Sequence, residues 1–353
     1  RHQLDRVLIY VNVRSFAVQW GEPLSEGTDE RQTIPSATEV VSALGEGCWL
    51  WEEAQDLQES YQDNSTLIYV LTTWRSGSSF FGELFNQNPE VFFLYEPMWH
   101  IWQKLYPGDA VSLQGAARDM LSSLYRCDLS NFTSLGLFGA TLNKVVCSYP
   151  LCSAYRKEVV GMVDDKCLKY NTIVIKGVRI LDINVLAPLM EDPSLDLKVI
   201  HLVRDPRAVA NSRIKSRHGL IRENLQVDFT ERLKPPSWLK GKYMVARYED
   251  LVENPVKVLR NIYRFANLSS NHDIELFALN MTSGSSSSSK PFIVSSRNAT
   301  QAASAWRTVL SIQQIKQVED YCHHAMSVLG YERVRTAGEA KDLSKSLLAH
   351  SKL

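Results

Sequence analysis

Five short apolar runs, rich in β-branched and aromatic residues, constrain the fold of this chain most. They are LIYVLTT from Leu67, VFFLYE from Val91, TIVIKGV from Thr172, KVIHLV from Lys198 and YMVAR from Tyr243, and stretches of helical character separate them. Strands that are apolar on both faces are typical of a parallel sheet covered by helices on both sides. The sequence therefore predicts an α/β fold with a central parallel sheet flanked by helices.

The predicted domain boundaries follow changes in composition. Residues 1–64 show little periodicity and indicate a stem or linker, residues 65–335 form one folded domain, and residues 336–353 form a tail. A flexible segment, GSSSSSK, runs from Gly284 to Lys290, and a long helix is predicted from about Thr300 to Leu329. This pair forms either a lid over a site or a plain surface linker.

The overall charge is balanced, which bears on the choice of partner. The chain has 39 basic and 39 acidic residues, so its formal net charge is zero. A neutral chain gives no global indication of a nucleic-acid partner. Any anion site must therefore be local.

A strand, a Gly/Ser turn and a helix follow one another in LTTWRSGSSFFGELF, residues 71–85. Such a turn presents free backbone N–H groups and the positive end of a helix to an anion. It is not a triphosphatase P-loop, because GxxxxGK[ST] is absent and Arg75 supplies the cation instead. An ordinary polar turn is the alternative. The residues of the predicted cradle are Thr73, Trp74, Arg75, Ser76, Gly77, Ser78, Ser79 and Phe80.

A second basic segment follows the run KVIHLV. That run ends at Arg204, and Asp205 followed by Pro206 predicts the start of a helix. The helix carries polar and basic residues, namely Arg207, Ser212, Arg213, Lys215 and Arg217. A run of charges is usually a solvated face. This one begins at the carboxyl end of a strand, where open α/β sheets bind ligands.

These two segments carry a family resemblance. TTWRSGSSF resembles the 5′-phosphosulfate loop of sulfotransferases, and LVRDPRAVANSR resembles their 3′-phosphate motif, with Arg204 and Ser212 at the family's Arg and Ser positions. FFGELFNQNPEVFFLYEPMWHIWQKLYPGD and RNATQAASAWR resemble the Golgi carbohydrate 6-O-sulfotransferases that act on galactose, N-acetylgalactosamine and N-acetylglucosamine. The chain looks most like an N-acetylglucosamine 6-O-sulfotransferase, over roughly residues 64–335.

The resemblance implies a P-loop-like three-layer sulfotransferase fold, with PAPS (3′-phosphoadenylyl sulfate) as co-substrate and no metal. It also implies a glycan acceptor on a glycoprotein or proteoglycan, and a Golgi-lumenal type II membrane protein whose anchor lies upstream of Arg1. A homodimer stays open. In the C-terminal motif, the resemblance places Arg297, Trp306 and Arg307 near the donor nucleotide.

The chemistry of transfer needs a cation at the leaving oxygen and a base for the sugar hydroxyl. Arg75 is the candidate cation, since its fork bridges two oxygens. Glu96 is the candidate base, because it ends the run VFFLYE and its YEP segment matches the family's acidic position. A salt-bridged surface glutamate is the alternative. His100 and His218 are reserve bases.

The acceptor residues are weaker assignments. Tyr95 and Trp99, with Trp102, form an aromatic cluster that suits a sugar face, although such aromatics are more often core. Lys176 and Arg179 follow the run TIVIK as contacts to donor or acceptor.

Cysteines and sequons indicate the compartment. Cys147 and Cys152 lack a second ligand pair nearby, so we predict a disulfide rather than a metal site, with Cys147 bonded to Cys152 or Cys167. N-x-[ST] sequons occur at Asn64, Asn131, Asn267, Asn280 and Asn298. Five predicted N-glycosylation sites favour the secretory lumen.

The chain departs from the family in two places. It is shorter after Val227 and between Asn131 and Thr172, where the missing pieces would cover the donor site and shape the acceptor cleft. A catalytically impaired protein that binds PAP or glycan is therefore an alternative. Others are a transferase acting on galactose or N-acetylgalactosamine, a nucleotide kinase and a structural glycoprotein.

Overall fold

Five parallel strands form the central sheet that the apolar runs predict. The computed structural model describes residues 65–98, 101, 110–128, 167–215, 237–284 and 296–351. The strands are β1 (Thr66–Thr72), β2 (Val91–Tyr95), β3 (Thr172–Gly177), β4 (Leu197–Val203) and β5 (Tyr243–Arg247). Each apolar run identified in the sequence contributes one strand, and every pairing is parallel. The predicted α/β class is confirmed.

The order of the strands in the sheet is β2-β3-β1-β4-β5. After β1 the chain moves to the β2 side of the sheet, whereas after β4 it moves to the β5 side. The direction of winding therefore reverses between β1 and β4, and the crevice at such a switch point is where open α/β sheets bind ligands. The two predicted anion segments leave these two strands, so they meet at that crevice.

Both faces of β1 are buried, as expected for a central strand. Leu67 and Tyr69 pack into the cluster that also contains residues of the helix at 110–125. Ile68 and Val70 point to the opposite face and pack against the helix at 78–86. The period of two along the strand thus divides the core into two layers around the sheet.

Helices cover both faces of the sheet. Their bounds are α1 (Ser78–Asn86), α2 (Ala110–Tyr125), α3 (Ala187–Glu191), α4 (Pro206–Lys215), α5 (Tyr248–Glu253), α6 (Pro255–Phe265), α7 (His272–Ser283), α8 (Ala299–Ser304), α9 (Trp306–Val309), α10 (Ile312–Tyr321), α11 (His323–Leu329) and α12 (Ala337–Lys341). Short 3₁₀ turns lie at Ile183–Leu186 and Ser237–Leu239. In the described part of the chain, no helix is both long and apolar enough to span a bilayer.

The prediction of one long helix from Thr300 to Leu329 is wrong. The structure divides this stretch into four helices, α8 to α11. Leu310 is extended, and Ser311 starts α10 with a capping box in which Gln314 is the second member. Two side chains that satisfy the backbone of a new helix stabilise a break at that point. The predicted lid or linker at residues 285–290 lies outside the described residues.

The predicted pairing of Cys167 with Cys147 is also wrong. Cys167 forms a disulfide with Cys127, which follows α2 directly. Both cysteines are buried in the core layer between α2 and the sheet. Cys147 and Cys152 lie outside the described residues, and Cys322 is buried and forms no disulfide with another described cysteine.

The described C-terminal residues, which the sequence assigns to a tail, pack into the body of the protein. Ala340 and Leu347 belong to a buried cluster, and Tyr331 forms a β-bridge with Leu348. The guanidinium of Arg307 donates to the carbonyls of Ala340 and of three further residues in this segment, at 2.5 to 3.3 Å. A buried arginine thus anchors the segment together with its short helix and the β-bridge.

Candidate active site

The turn after β1 has the backbone shape of an anion cradle. Arg75 and Gly77 both have positive φ, at 72° and 92°, so the chain curls between β1 and α1. The first helical hydrogen bond of α1 runs from the Phe81 amide to the Gly77 carbonyl, at 3.2 Å. The amides at the start of the helix, from Ser78 to Phe80, have no partner within the helix. They point out of its positive end, where an anion binds.

The side chains of the turn hold its shape. Thr72 Oγ1 donates to the carbonyl of Leu202 on β4 and lies 2.5 Å from Ser76 Oγ. The Ser76 hydroxyl donates to the Thr73 carbonyl at 2.7 Å, and Ser76 is buried. The Ser76 hydroxyl therefore closes the turn, so the cradle offers an anion its backbone and its arginine.

The second predicted segment contacts the cradle directly. Arg75 Nε donates to Ser212 Oγ on α4 at 2.9 Å. Arg213 donates to the Trp74 carbonyl at 3.0 and 3.2 Å, and Arg204 Nη1 donates to the Arg75 carbonyl at 3.2 Å. The residues that the resemblance assigned to the 5′ and 3′ phosphates of one nucleotide thus lie side by side.

The cradle contains a cluster of positive charge. Burial, and the neighbouring Arg204 and Arg297, lower the pKa of the Arg75 guanidinium below its ordinary value. Within the described residues, no carboxylate forms an ion pair with any of these three arginines. Arg204 Nε is also buried without a hydrogen-bond partner. An anion with several oxygens would relieve this repulsion and satisfy the unused N–H.

Gly77 allows the wall of the cradle to approach closely. A Cβ at this position would lie 2.4 Å from two carbons of the Tyr248 ring. The same ring lies under the Arg204 guanidinium, at 4.4 Å from its centroid. Tyr248, the first residue of α5, therefore contacts both phosphate segments.

Gly77→Ala is expected to lower the free energy of unfolding by about 1 to 3 kcal/mol, because the new methyl meets the ring and the φ is unfavourable for alanine. Urea unfolding measures this change. Gly115→Ala is the matched control, since a Cβ at Gly115 in α2 has no atom within 4 Å. We expect that control to be neutral or stabilising by up to about 1 kcal/mol. Equal effects of the two substitutions would contradict the close approach.

Glu96 lies at the carboxyl end of β2 in a cluster of opposite charges. Its carboxylate accepts a short hydrogen bond from Lys176 Nζ and one of 2.9 Å from Arg179 Nη1. Lys176 and Arg179 are almost completely buried, whereas Glu96 keeps part of its side chain exposed. Burial raises the pKa of the Glu96 carboxyl, but the two cations outweigh burial and hold that pKa below its ordinary value. The carboxylate is therefore ionised at neutral pH.

Tyr95 connects this cluster to the cradle. Its hydroxyl lies 2.8 Å from Ser79 Oγ in the first turn of α1. Lys176 Nζ lies 4.2 Å from the centroid of the Tyr95 ring, a cation–π arrangement. One contact path thus runs from the cradle through Tyr95 and Lys176 to Glu96. Because Lys176 occupies a ring face, at most the other face is free for a sugar.

The comparisons with known proteins agree with this geometry. The family model described as "Sulfotransferase domain" matches residues 228–330. Carbohydrate sulfotransferase 2 of Mus musculus is 58% identical over 369 residues, a match that covers 82% of this chain and 70% of the relative. The chain belongs to the carbohydrate sulfotransferases. Carbohydrate sulfotransferase 7 of Rattus norvegicus is 42% identical over 379 residues, covering 81% of this chain and 78% of the relative.

Membership of this family confirms the predicted fold and the predicted co-substrate. This carbohydrate sulfotransferase has the sulfotransferase fold and uses PAPS as its co-substrate. Among solved structures, a sulfotransferase domain from a Synechococcus olefin synthase aligns with a TM-score of 0.40 and 20% identity, over 73% of this chain and 95% of that domain. Among the described residues, no group of three or more potential ligands is placed to hold a metal ion.

The match to the mouse relative also bears on the length of the chain. The alignment spans 369 residues, although this carbohydrate sulfotransferase has 353 and only 82% of them align. The relative therefore has residues in this region that the chain lacks. The sequence prediction puts these shortenings after Val227 and before Thr172.

Two residues of the predicted C-terminal motif make structural contacts with other parts of the fold. Arg307 holds the C-terminal segment, and the Trp306 ring packs under the Arg207 guanidinium at 4.1 Å. Arg207 is itself fully buried in ion pairs with Asp205 and Glu319. Arg207, Trp306 and Arg307 belong to the framework behind the cradle, and the placement of Trp306 and Arg307 near the nucleotide stays a prediction.

Three of the five predicted N-glycosylation sites lie among the described residues. Asn267, Asn280 and Asn298 are exposed, as N-glycosylation requires. Asn298 also caps α8 by accepting from the Gln301 amide at 2.9 Å. The predicted positions outside the described residues are Asn64, Trp99, His100, Trp102, Asn131 and His218.

The sequence interpretation missed the start of α5. Tyr248 and Glu249 follow β5 at the same edge of the sheet as the cradle, and both contact the phosphate segments. The sequence did contain an indication that these two residues belong to the site, because an aromatic and an acidic residue directly follow a strand that pairs with β4. Residues at the carboxyl end of any strand next to the switch point are candidates for the site.

Proposed function

We propose that this protein transfers the sulfuryl group of PAPS to the 6-hydroxyl of N-acetylglucosamine in glycoprotein or keratan-type glycans, with Glu96 as general base. The observation that carries the proposal is the hydrogen bond between Tyr95 and Ser79, which joins the cluster around Glu96 to the donor cradle. A base for the acceptor must lie next to the group that is transferred. The choice of sugar rests on the resemblance to N-acetylglucosamine 6-O-sulfotransferases.

The donor residues fit a nucleotide that carries both a phosphosulfate and a 3′-phosphate. The amides of Ser78, Ser79 and Phe80 and the Arg75 side chain would hold the 5′ end. Arg204 and Ser212 would hold the 3′-phosphate, and Arg297 adds positive charge near Arg75. PAPS supplies the activated sulfuryl group and leaves as PAP. Arg75 neutralises charge at the leaving oxygen, the position where a preorganised donor contributes most.

The acceptor side orients a hydroxyl and removes its proton. The Glu96 carboxylate accepts the proton as the sugar oxygen attacks, while Lys176 and Arg179 keep the carboxylate ionised and in place. Because these cations make Glu96 a weak base, the proton moves late, after bond formation to sulfur has acidified the hydroxyl. We place the enzyme in the Golgi lumen as an anchored type II membrane protein, and a homodimer is compatible with this proposal.

The test is transfer of labelled sulfate from PAPS to three oligosaccharide acceptors that end in N-acetylglucosamine, galactose or N-acetylgalactosamine. We expect at least tenfold higher kcat/KM for the N-acetylglucosamine acceptor, with label recovered at its 6-position. Preference for either other sugar would reject the proposed acceptor while leaving the sulfotransferase activity intact.

A second candidate is a protein that binds PAP but does not turn over. The observation that favours it is the shorter length of this chain over the region aligned with the mouse relative. Calorimetric binding of PAP by a folded protein that transfers no sulfate to any of the three acceptors would establish this candidate.

A further inference from the structure

Glu249 is a buried carboxyl that the proposed mechanism does not use. It is the second residue of α5, and 8% of its surface is exposed. Its Oε1 accepts from the Asp205 amide at 3.1 Å, and its Oε2 accepts from the Tyr331 hydroxyl at 2.9 Å. Glu249 thus joins the turn after β4 to the segment that follows α11.

That turn carries the arginine of the donor site. Asp205 directly follows Arg204, whose Nη1 donates to the cradle at the Arg75 carbonyl. The Asp205 side chain is already committed to Arg207, with contacts of 2.8 to 3.3 Å. Glu249 therefore fixes the backbone of the turn by accepting from the Asp205 amide. The side chains of Arg204 and Asp205 have other partners and do not make this contact.

Charged and titratable groups of three elements face Glu249 in the described structure. Asp205 and Arg204 lie on the turn after β4, Arg247 ends β5, and Tyr331 follows α11. Burial, followed by the Asp205 carboxylate, raises the pKa of Glu249 to about 7, although Arg204 acts in the opposite direction. Burial also raises the pKa of Tyr331, so its hydroxyl stays a donor.

We propose that Glu249 is a positioning residue of the donor site, which holds the Arg204–Asp205 turn and takes up a proton when a phosphate monoester binds against Arg204. The inference rests on the proposed placement of the 3′-phosphate at Arg204. A bound phosphate brings negative charge and compensates the arginine that stabilises the Glu249 carboxylate. Both effects disfavour the carboxylate, so a proton from solvent binds to it.

The sign of the pH dependence follows from this linkage. Near pH 7 the unliganded protein has Glu249 partly ionised, and PAP favours the protonated form. The Glu249 contribution to PAP affinity therefore decreases as pH rises through about 7, by up to about tenfold for each unit by which the phosphate raises the pKa. The PAP 3′-phosphate also titrates, with a pKa of about 6, and this contribution is the same in every variant.

The experiment is calorimetry of PAP binding to the full chain at pH 7 in buffers of different ionisation enthalpy. We expect the wild-type protein to take up about 0.3 to 0.5 more protons per PAP than Glu249→Gln, which keeps a similar shape but does not titrate. Glu253→Gln, an exposed position in the same helix, is the matched control and should equal wild type. Tyr331→Phe removes a donor to the carboxylate and should move the maximum uptake to higher pH.

The outcomes separate this inference from the proposed function. Equal proton uptake by wild type and Glu249→Gln, with PAP bound by both, overturns the proposed role of Glu249 and leaves the proposed donor site intact. A uniform loss of affinity at every pH in Glu249→Gln also overturns it, because that is the result of a purely structural contact. Absence of PAP binding to the folded wild-type protein rejects the proposed donor site itself.

Discussion

Glu96→Gln is expected to reduce kcat for sulfuryl transfer by about 10²- to 10⁴-fold, which is the usual contribution of a positioned general base. Glutamine has a similar shape, but it does not accept the hydroxyl proton. PAP binding should persist, because Glu96 contacts Lys176 and Arg179 rather than the arginines of the cradle. Initial rates with saturating PAPS, together with calorimetry of PAP, measure the two quantities separately.

The substitution also leaves two buried cations without their carboxylate. Removing one partner of a buried ion pair destabilises proteins by about 3 to 5 kcal/mol, so unfolding of the variant must be measured beside its activity. Glu96→Asp keeps the charge and serves as the second variant. We expect it to be more stable than Glu96→Gln and still slow, because the shorter side chain withdraws the carboxylate from the hydroxyl.

The pH profile of the wild-type enzyme tests the same residue. The base is active when deprotonated, so transfer is lost as pH falls through the pKa of Glu96. That pKa lies below its ordinary value of 4.5, so the acid limb of kcat should lie below pH 4.5. An acid limb at pH 6 to 7 that is retained in Glu249→Gln would contradict Glu96 as the base.

Arg75→Ala is expected to reduce transfer by about 10²- to 10³-fold, the range found when one preorganised donor to a developing charge is removed. Arg75→Lys should fall between alanine and wild type, because lysine keeps the charge but loses the fork and the Nε donor to Ser212. Parallel assays of kcat and of PAP affinity for both variants check this order.

The stability of these variants distinguishes a binding residue from a structural one. Burial and the charges of Arg204 and Arg297 oppose the ionised form of Arg75, so its removal relieves repulsion in the free protein. We expect Arg75→Ala to change the free energy of unfolding by no more than about 1 kcal/mol. Arg260→Ala, at an exposed arginine of α6 paired with Glu275, is the control with unchanged transfer. A large loss of stability in Arg75→Ala, or full activity, would refute the assignment.

The sheet was predictable because β1, β2 and β3 are apolar and buried on both faces. Each apolar run is too short for a typical helix, which leaves a strand as the interpretation. Strands of this kind occur in parallel sheets with helices on both sides. The sequence S-x-x-Q at Ser311 is a capping-box pattern, which indicates the start of a new helix. The continuous helical spacing of apolar residues indicated one long helix instead, but the structure has the capping box and the break. The partner of Cys167 was not predictable, because the spacing of cysteines does not determine which segments of the chain the fold brings together.

In the candidate site, the sequence predicted the two anion segments but not the contacts between them. The Arg75 side chain donates to Ser212 on α4, a contact between residues far apart in the chain that local sequence does not reveal. Glu96 was identified from its place at the end of a strand. Its ion pairs with Lys176 and Arg179 join adjacent strands, a pairing that follows from the register of β2 and β3 and not from local sequence.

The framework behind the cradle depends on contacts with residues 331–349. Arg207 and Arg247 donate to the carbonyls of Glu332 and Ala349, and Glu249 accepts from Tyr331. During translation, the sheet and the turn after β1 emerge from the ribosome well before these partners. The nascent chain therefore completes these contacts only after Ala349 has left the ribosome, so a messenger truncated after the codon for Gly330 encodes the strands of the sheet without this support.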